Sequence, residues 1–158
     1  MHRPNTEIER KFLVLGEEWR GLSNGVYIRQ GYLCYDETST VRIRQFGDEG
    51  FLTVKGRTIG ITRTEYEYKI PIDEAEYMLT NLCQKPLIQK HRYHVPFGGL
   101  VWEVDEFHGS NQGLVIAEIE LISEDQKIHK PVWVGLEVSL DSRYTNSNLA
   151  KTPYQTWS

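Results

Sequence analysis

Two cysteines in 158 residues are too few for a disulfide framework. Cys34 and Cys83 form no CxxC and have no metal-ligand spacing with any of the five histidines, so a zinc finger is set aside and both read as core thiols. No stretch approaches the ~18 consecutive apolar residues of a membrane span. The opening Met1-His2-Arg3-Pro4-Asn5-Thr6 runs into charged residues without an apolar signal region, so a cytoplasmic protein with no membrane partner is expected. Positive charge is not in excess either. Eighteen Lys and Arg against 22 Asp and Glu leave a net charge of -4, so no overall field draws in nucleic acid and any anion must be caught locally. Repeats, composition shifts and Pro/Ser-rich linkers are also missing, and residues 1–158 read as a single domain. A chain of this length buries roughly 68–70% of its unfolded surface on folding, so its core needs no structural metal.

What is present is alternation. Segments near 6–14, 26–35, 40–46, 50–56, 62–71, 87–95, 99–107 and 114–122 alternate side-chain character with period two and are rich in Val, Ile, Tyr, Phe and Thr, the pattern of strands. Gly47-Asp48-Glu49-Gly50 and Pro96-Phe97-Gly98-Gly99 supply turn chemistry for two antiparallel hairpins. One helix is marked by Ala75, Met78, Leu79 and Leu82, with Asp73 and Glu76 as a capping box and Ile72 stapled to Tyr77. A second, short helix is expected near 144–151, ahead of Pro153. Between 124 and 140, around Pro131, the pattern suggests a helical turn with Trp133 buried.

The charges are sorted by strand. Glu7, Glu9 and Lys11 share one face of the first strand; Arg42 and Arg44 form a basic pair, and Lys55 ends the Thr53 face of the next run. Glu65 and Glu67 are an acidic pair, Lys90 and Arg92 a basic one, and Glu103 with Asp105 and Glu118 with Glu120 are acidic again. An open sheet would turn such a face to water, where Arg63 and Lys69 would simply pair with Glu65 and Glu67 as a cross-strand ladder. Eight strands are also enough to close on themselves around one small ligand. A closed lumen holding both signs requires a guest of both signs. Carboxylates suit Mg²⁺ or Mn²⁺, Arg and Lys suit phosphate oxygens, and a metal-bound polyphosphate satisfies the two together. His91 alternates to the face opposite Lys90 and Arg92, and both His91 and His94 read as packing or surface residues.

These residues resemble a known family. Glu7-Ile8-Glu9-Arg10-Lys11 matches the ExExK signature of the CYTH superfamily, the triphosphate tunnel metalloenzymes. Arg42-Ile43-Arg44, Leu52-Thr53-Val54-Lys55, Glu65-Tyr66-Glu67, Lys90-His91-Arg92-Tyr93, Glu103-Val104-Asp105, Glu118-Ile119-Glu120 and Arg143-Tyr144-Thr145-Asn146 follow in the family's order. The short chain and Arg29-Gln30-Gly31-Tyr32-Leu33 look most like the small bacterial members that hydrolyse inorganic tripolyphosphate.

The resemblance implies a mainly β (α+β) fold, a closed eight-stranded antiparallel barrel with a few helices outside. It implies divalent metal, Mg²⁺ or Mn²⁺, on Glu7, Glu9, Glu118 and Glu120. Phosphate contacts fall to Lys11, Arg42, Arg44, Lys55, Lys90 and Arg92, and Lys90, Glu67 and Asp105 are the catalytic candidates. Glu65 and Glu103 join Glu67, Asp105 and Glu118 as candidates for a second metal, for positioning water or for holding the basic side chains. The same tunnel serves thiamine and nucleoside triphosphatases and class IV adenylyl cyclases. The last need an adenine-recognition surface, for which this chain shows no appended element. A non-catalytic polyphosphate-binding module would need only the basic strands.

Overall fold

The computed structural model describes residues 5–157; the reading of residues 1–4 as free of a signal region lies outside them. Eight strands form one antiparallel ring: β1 (Thr6–Val14), β2 (Val26–Tyr35), β3 (Ser39–Phe46), β4 (Glu49–Gly56), β5 (Thr62–Ile70), β6 (Ile88–Phe97), β7 (Leu100–Phe107) and β8 (Val115–Glu120). Neighbours run β5-β4-β3-β2-β6-β7-β8-β1, and β1 meets β5 to close the circle. Both expected hairpins form. Gly98 and Gly99 take φ of +62° and +79° between paired Phe97 and Leu100, the left-handed pair a tight two-residue turn requires.

The closing seam is short. Only Thr6, Glu7 and Ile8 pair with β5, whereas Glu9 to Leu13 pair with β8 along the other edge. The rest of the seam edge must still satisfy its backbone groups, and a ninth strand, β9 (Val134–Glu137), does so beside Phe12 and Val14. This corrects the helical turn expected around Pro131: extended Val-Gly-Leu-Glu is taken up by an open sheet edge. Trp133 is buried as anticipated.

Apolar outward residues are covered. Phe12, Trp102, Val104, Ala117 and Ile119 pack beneath Trp19, Leu121 and Trp133. Helix α1 (Ile72–Asn81) lays Ala75 and Leu79 on Ile43 and Cys83 over the outside of β3 and β4. Its capping box does not form. Pro71, with φ of -56°, begins the helix two residues ahead of Asp73, so Asp73 falls inside the first turn and faces the positive end of the helix dipole. Tyr77 is exposed, so the staple is absent too. Cys83 is a core thiol, but Cys34 is exposed, beside a register shift between Tyr32 and Cys34.

Helix α2 (Asn146–Lys151) sits differently. Leu149 and Ala150 pack on Tyr32, Ile88, Phe107 and Ile116. Tyr32 lies opposite Arg42, Phe107 opposite Lys90 and Ile116 opposite Asp105, and directly opposed residues share a face. Helix α2 therefore rests against the lumen-facing side of the barrel at one end. Among the described residues no helix is long and apolar enough to cross a membrane.

Candidate active site

Alternation along eight closed strands turns the sorted charges inward. The lumen holds a cavity of ≈ 270 Å³. Strand β1 contributes Glu7, Glu9 and Lys11, β3 Arg42 and Arg44, β4 Lys55, β5 Glu65 and Glu67, β6 Arg92, β7 Glu103, and β8 Glu118 and Glu120. Two expected residues do not line it. Lys90 and Asp105 have fully buried side chains, joined to one another at 2.7 Å.

Each cation has a distinct set of partners. Lys11 Nζ lies 3.8 Å from Glu9 and 3.5 Å from Glu118. Lys55 Nζ is 2.9 Å from Glu7 and 3.2 Å from Glu65. Arg92 donates twice to Asp105, at 2.7 and 2.8 Å, and once to Glu103 at 2.8 Å. Arg42 Nη2 reaches Thr53 at 3.1 Å and Glu67 at 3.5 Å, and its buried Nε has no acceptor among the described residues. Arg44 donates Nε to a neutral partner, Gln30 Oε1, at 2.8 Å. The acidic pair on β5 thus engages Lys55 and Arg42 rather than a ladder with Arg63 and Lys69; Lys69 pairs with Glu49.

Protonation preferences show which charges the protein leaves uncompensated. Burial and the neighbouring carboxylates of Glu118 and Glu7 push Glu9 up to about 8. Glu7 is buried too, yet Lys55 brings it down to about 2. Burial, and then the like charges of Arg42 and Arg92, depress Arg44 to about 9. Lys90 falls to about 7, burial and the guanidinium groups of Arg92 and Arg44 outweighing Asp105. Asp105, despite its burial, is held far below the usual carboxylate range by Arg92 and Lys90. One side of the cavity is thus short of positive charge and another short of negative charge.

A divalent ion suits the first side. Glu9 lies opposite Glu120 and Lys11 opposite Glu118 on adjacent strands, so hard oxygen donors are gathered there. Among the described residues no three of them already form a cage; Lys11 lies beside Glu9 and Glu118, and Lys55 beside Glu7. The donor chemistry and the raised Glu9 fit a hard divalent cation.

Several neutral residues at or behind the cavity wall carry no charge signal and, though some stand in segments quoted for the resemblance, were given no role from the sequence. Tyr32 lines the cavity, Gln30 anchors Arg44, and Thr145, Asn146 and Ser147 bring the start of α2 to the cavity wall. Their strand or helix was expected, but neutral side chains show no sorting by sign. Arg143, by contrast, is exposed and outside the cavity lining: it pairs with Asp141 and lies over Tyr144 and Trp157. His91 packs outside against His108 and Tyr27, and His94 sits 3.4 Å from Glu103.

Comparison with known proteins adds three findings. The CYTH domain family matches residues 5–153. An inorganic triphosphatase of Acetivibrio thermocellus is 55% identical over 149 residues, covering 94% of this chain and 96% of its own; one of Nitrosomonas europaea is 41% identical over 150 residues, covering 92% and 97%. A solved structure of an inorganic triphosphatase superposes with a TM-score of 0.66 at 38% identity, over 90% of this chain and 96% of that one.

Proposed function

The chain belongs to the CYTH domain family, and from that membership we propose that it hydrolyses inorganic tripolyphosphate to diphosphate and phosphate, dependent on a divalent metal, Mg²⁺ or Mn²⁺. The observation that carries the reading is the gathering of both signs in one cavity, Arg42, Arg44 and Arg92 crowded as cations and Glu7, Glu9 and Glu118 as carboxylates, where burial and then like charge depress Arg44 and raise Glu9. A polyanion with its metal relieves both. A neutral ligand relieves neither.

In this mechanism Arg42, Arg44, Arg92, Lys11 and Lys55 contact phosphate oxygens, and Arg42 gains an acceptor for its buried Nε. Glu7, Glu9, Glu118 and Glu120 hold the metal, which supplies charge neutralisation and Lewis acidity when bound. Glu67, steadied by Thr53 at 2.9 Å, orients the attacking water in line with the leaving diphosphate. Charge spreads over oxygens in the transition state, so fixed donors already aimed at those oxygens do most of the catalytic work. Neither Lys90 nor Asp105, enclosed beneath the cavity wall, touches substrate: Asp105 holds Arg92, and Lys90 shares that carboxylate. We also infer a cytoplasmic location, a small-molecule partner and no nucleic-acid partner, the last from the net charge of -4.

Phosphate release measured with tripolyphosphate, ATP and thiamine triphosphate, each with Mg²⁺ and Mn²⁺, tests the reading. Tripolyphosphate is expected to be the preferred substrate, with no turnover in a chelator. Cyclic AMP formed from ATP, or binding of tripolyphosphate without hydrolysis, would replace it with a cyclase or a binding module.

A further inference from the structure

Two neutral amides join two cations, Arg44 on the cavity wall and Lys90 beneath it, into a single hydrogen-bonded chain. Arg44 Nε donates to Gln30 Oε1 at 2.8 Å. Gln30 Nε2 donates to Asn146 Oδ1 at 3.2 Å, and Lys90 Nζ donates to the same oxygen at 2.9 Å. We propose that Gln30 and Asn146 are positioning residues: Gln30 holds the Arg44 guanidinium in its substrate-facing orientation, and Asn146, delivered by α2, fixes Gln30 and Lys90. The inference rests on the triphosphatase reading of the cavity.

The sense of each bond is forced from the Arg44 end. Guanidinium and ammonium groups only donate. Gln30 must therefore turn its oxygen to Arg44, which leaves its amide N–H for Asn146, and Asn146 must turn its oxygen to Gln30 and Lys90. Neither amide can flip without placing two donors face to face. Gln30 is fully buried, a costly place for an amide unless it is satisfied at both ends.

Arg44 needs such an anchor. Its guanidinium is repelled by Arg42 and Arg92, so left alone it would swing away from the position where an anion meets all three. With Nε held, the plane of the fork is fixed and the terminal nitrogens remain for the cavity that Arg44 lines. A neutral anchor suits this task because a carboxylate would neutralise the charge the substrate requires. Asn146 extends the constraint into α2, whose Leu149 and Ala150 are seated on the barrel, so the C-terminal helix takes part in shaping the phosphate site.

A double-mutant cycle in the full-length protein tests this, with KM and kcat for tripolyphosphate and calorimetric binding of tripolyphosphate in Ca²⁺ measured side by side. Gln30→Met keeps the shape but removes the acceptor. It is expected to raise KM and the dissociation constant about tenfold, with kcat within about twofold, as loss of an oriented charge-assisted contact implies. Because Gln30 acts through Arg44, adding Gln30→Met to Arg44→Ala should cost nothing further. Asn146→Leu should raise KM in the same direction, and most of that loss should disappear when Arg44→Ala is already present. A merely structural role predicts additive losses that follow the melting temperature. Additivity in the cycle, or an unmoved KM in both single variants, overturns the inference. If Gln30→Met does not fold, the Asn146→Leu cycle decides alone. An inactive wild-type protein that still binds tripolyphosphate would overturn the hydrolysis reading, and the binding arm would still judge the positioning role.

Discussion

Binding a divalent ion at pH 7 should expel a proton from Glu9. That carboxyl is pushed up to about 8 by burial and by Glu118 and Glu7. A group with that value is about nine-tenths protonated at pH 7, so an ion that takes its oxygens must release about 0.9 proton. Proton and ion compete for the same atoms. Apparent affinity therefore rises with pH and levels off once pH exceeds the pKa, a gain of about tenfold, or about 1.4 kcal/mol, between pH 7 and pH 9. Lys11, whose ammonium is stabilised by Glu118 and Glu9, stays charged throughout this window. Lys90, at about 7, titrates within it but does not line the cavity, so Glu9→Gln separates the two. Calorimetric titration with Mg²⁺ in two buffers of different ionisation enthalpy reads the proton count directly. About one proton is expected at pH 7, almost none at pH 9, and none at either pH in Glu9→Gln. Affinity that is flat from pH 7 to pH 9, or proton release that persists in the variant, refutes the reasoning.

Arg44→Ala should lower kcat/KM for tripolyphosphate by at least tenfold, since a charge-assisted hydrogen bond contributes on the order of 1.5–3 kcal/mol; unchanged kcat/KM contradicts the clamp. Tripolyphosphate with a non-catalytic divalent ion should raise the melting temperature, by about 2.7 kcal/mol of stabilisation at 100 times Kd, and tripolyphosphate alone far less; equal shifts would show that the acidic side plays no part. Asp105→Asn leaves buried Lys90 and Arg92 without their shared counter-ion and should destabilise the fold by about 3–5 kcal/mol in urea unfolding; a loss under ~1 kcal/mol would mean the pair is not structural. Glu9→Gln should abolish most metal-dependent turnover with the fold intact, and full activity at ordinary metal concentration would remove Glu9 from the ligand set.

The strands and their inward faces were legible because alternation carries both signals at once: a Glu-x-Glu or Arg-x-Arg run marks a strand and says its charges point one way. Depth was not. Period two assigns Lys90 and Arg92 to the same face, yet Arg92 reaches the cavity and Lys90 lies beneath it, a difference set by position along the barrel and by what α2 covers. The helix over 146–151 was visible from Leu149 and Ala150, but nothing local says that its apolar side belongs against Tyr32 and Phe107. Strand β9 was obscured because four residues beside Pro131 become a strand only when β1 leaves an edge to pair with. Gln30 and Asn146 stand in segments that carried the resemblance, but their role was illegible because it comes from the cations they touch, which are distant in sequence.

The short seam at β1 also bears on how the molecule is made. Strand β1 is synthesised before the other eight strands, yet Arg10 meets Glu137, 127 residues later, and Glu9 lies opposite Glu120. Strands β2 to β7 can assemble into an open sheet while β8 and β9 are still being synthesised. Such long-range pairings close slowly and leave edges open to wrong partners in the meantime. The acidic side needs both ends of the chain, Glu7 and Glu9 from the first strand and Glu118 and Glu120 from the eighth. Closing the barrel and completing the acidic side are one event, so a nascent chain short of β8 lacks that side of the site.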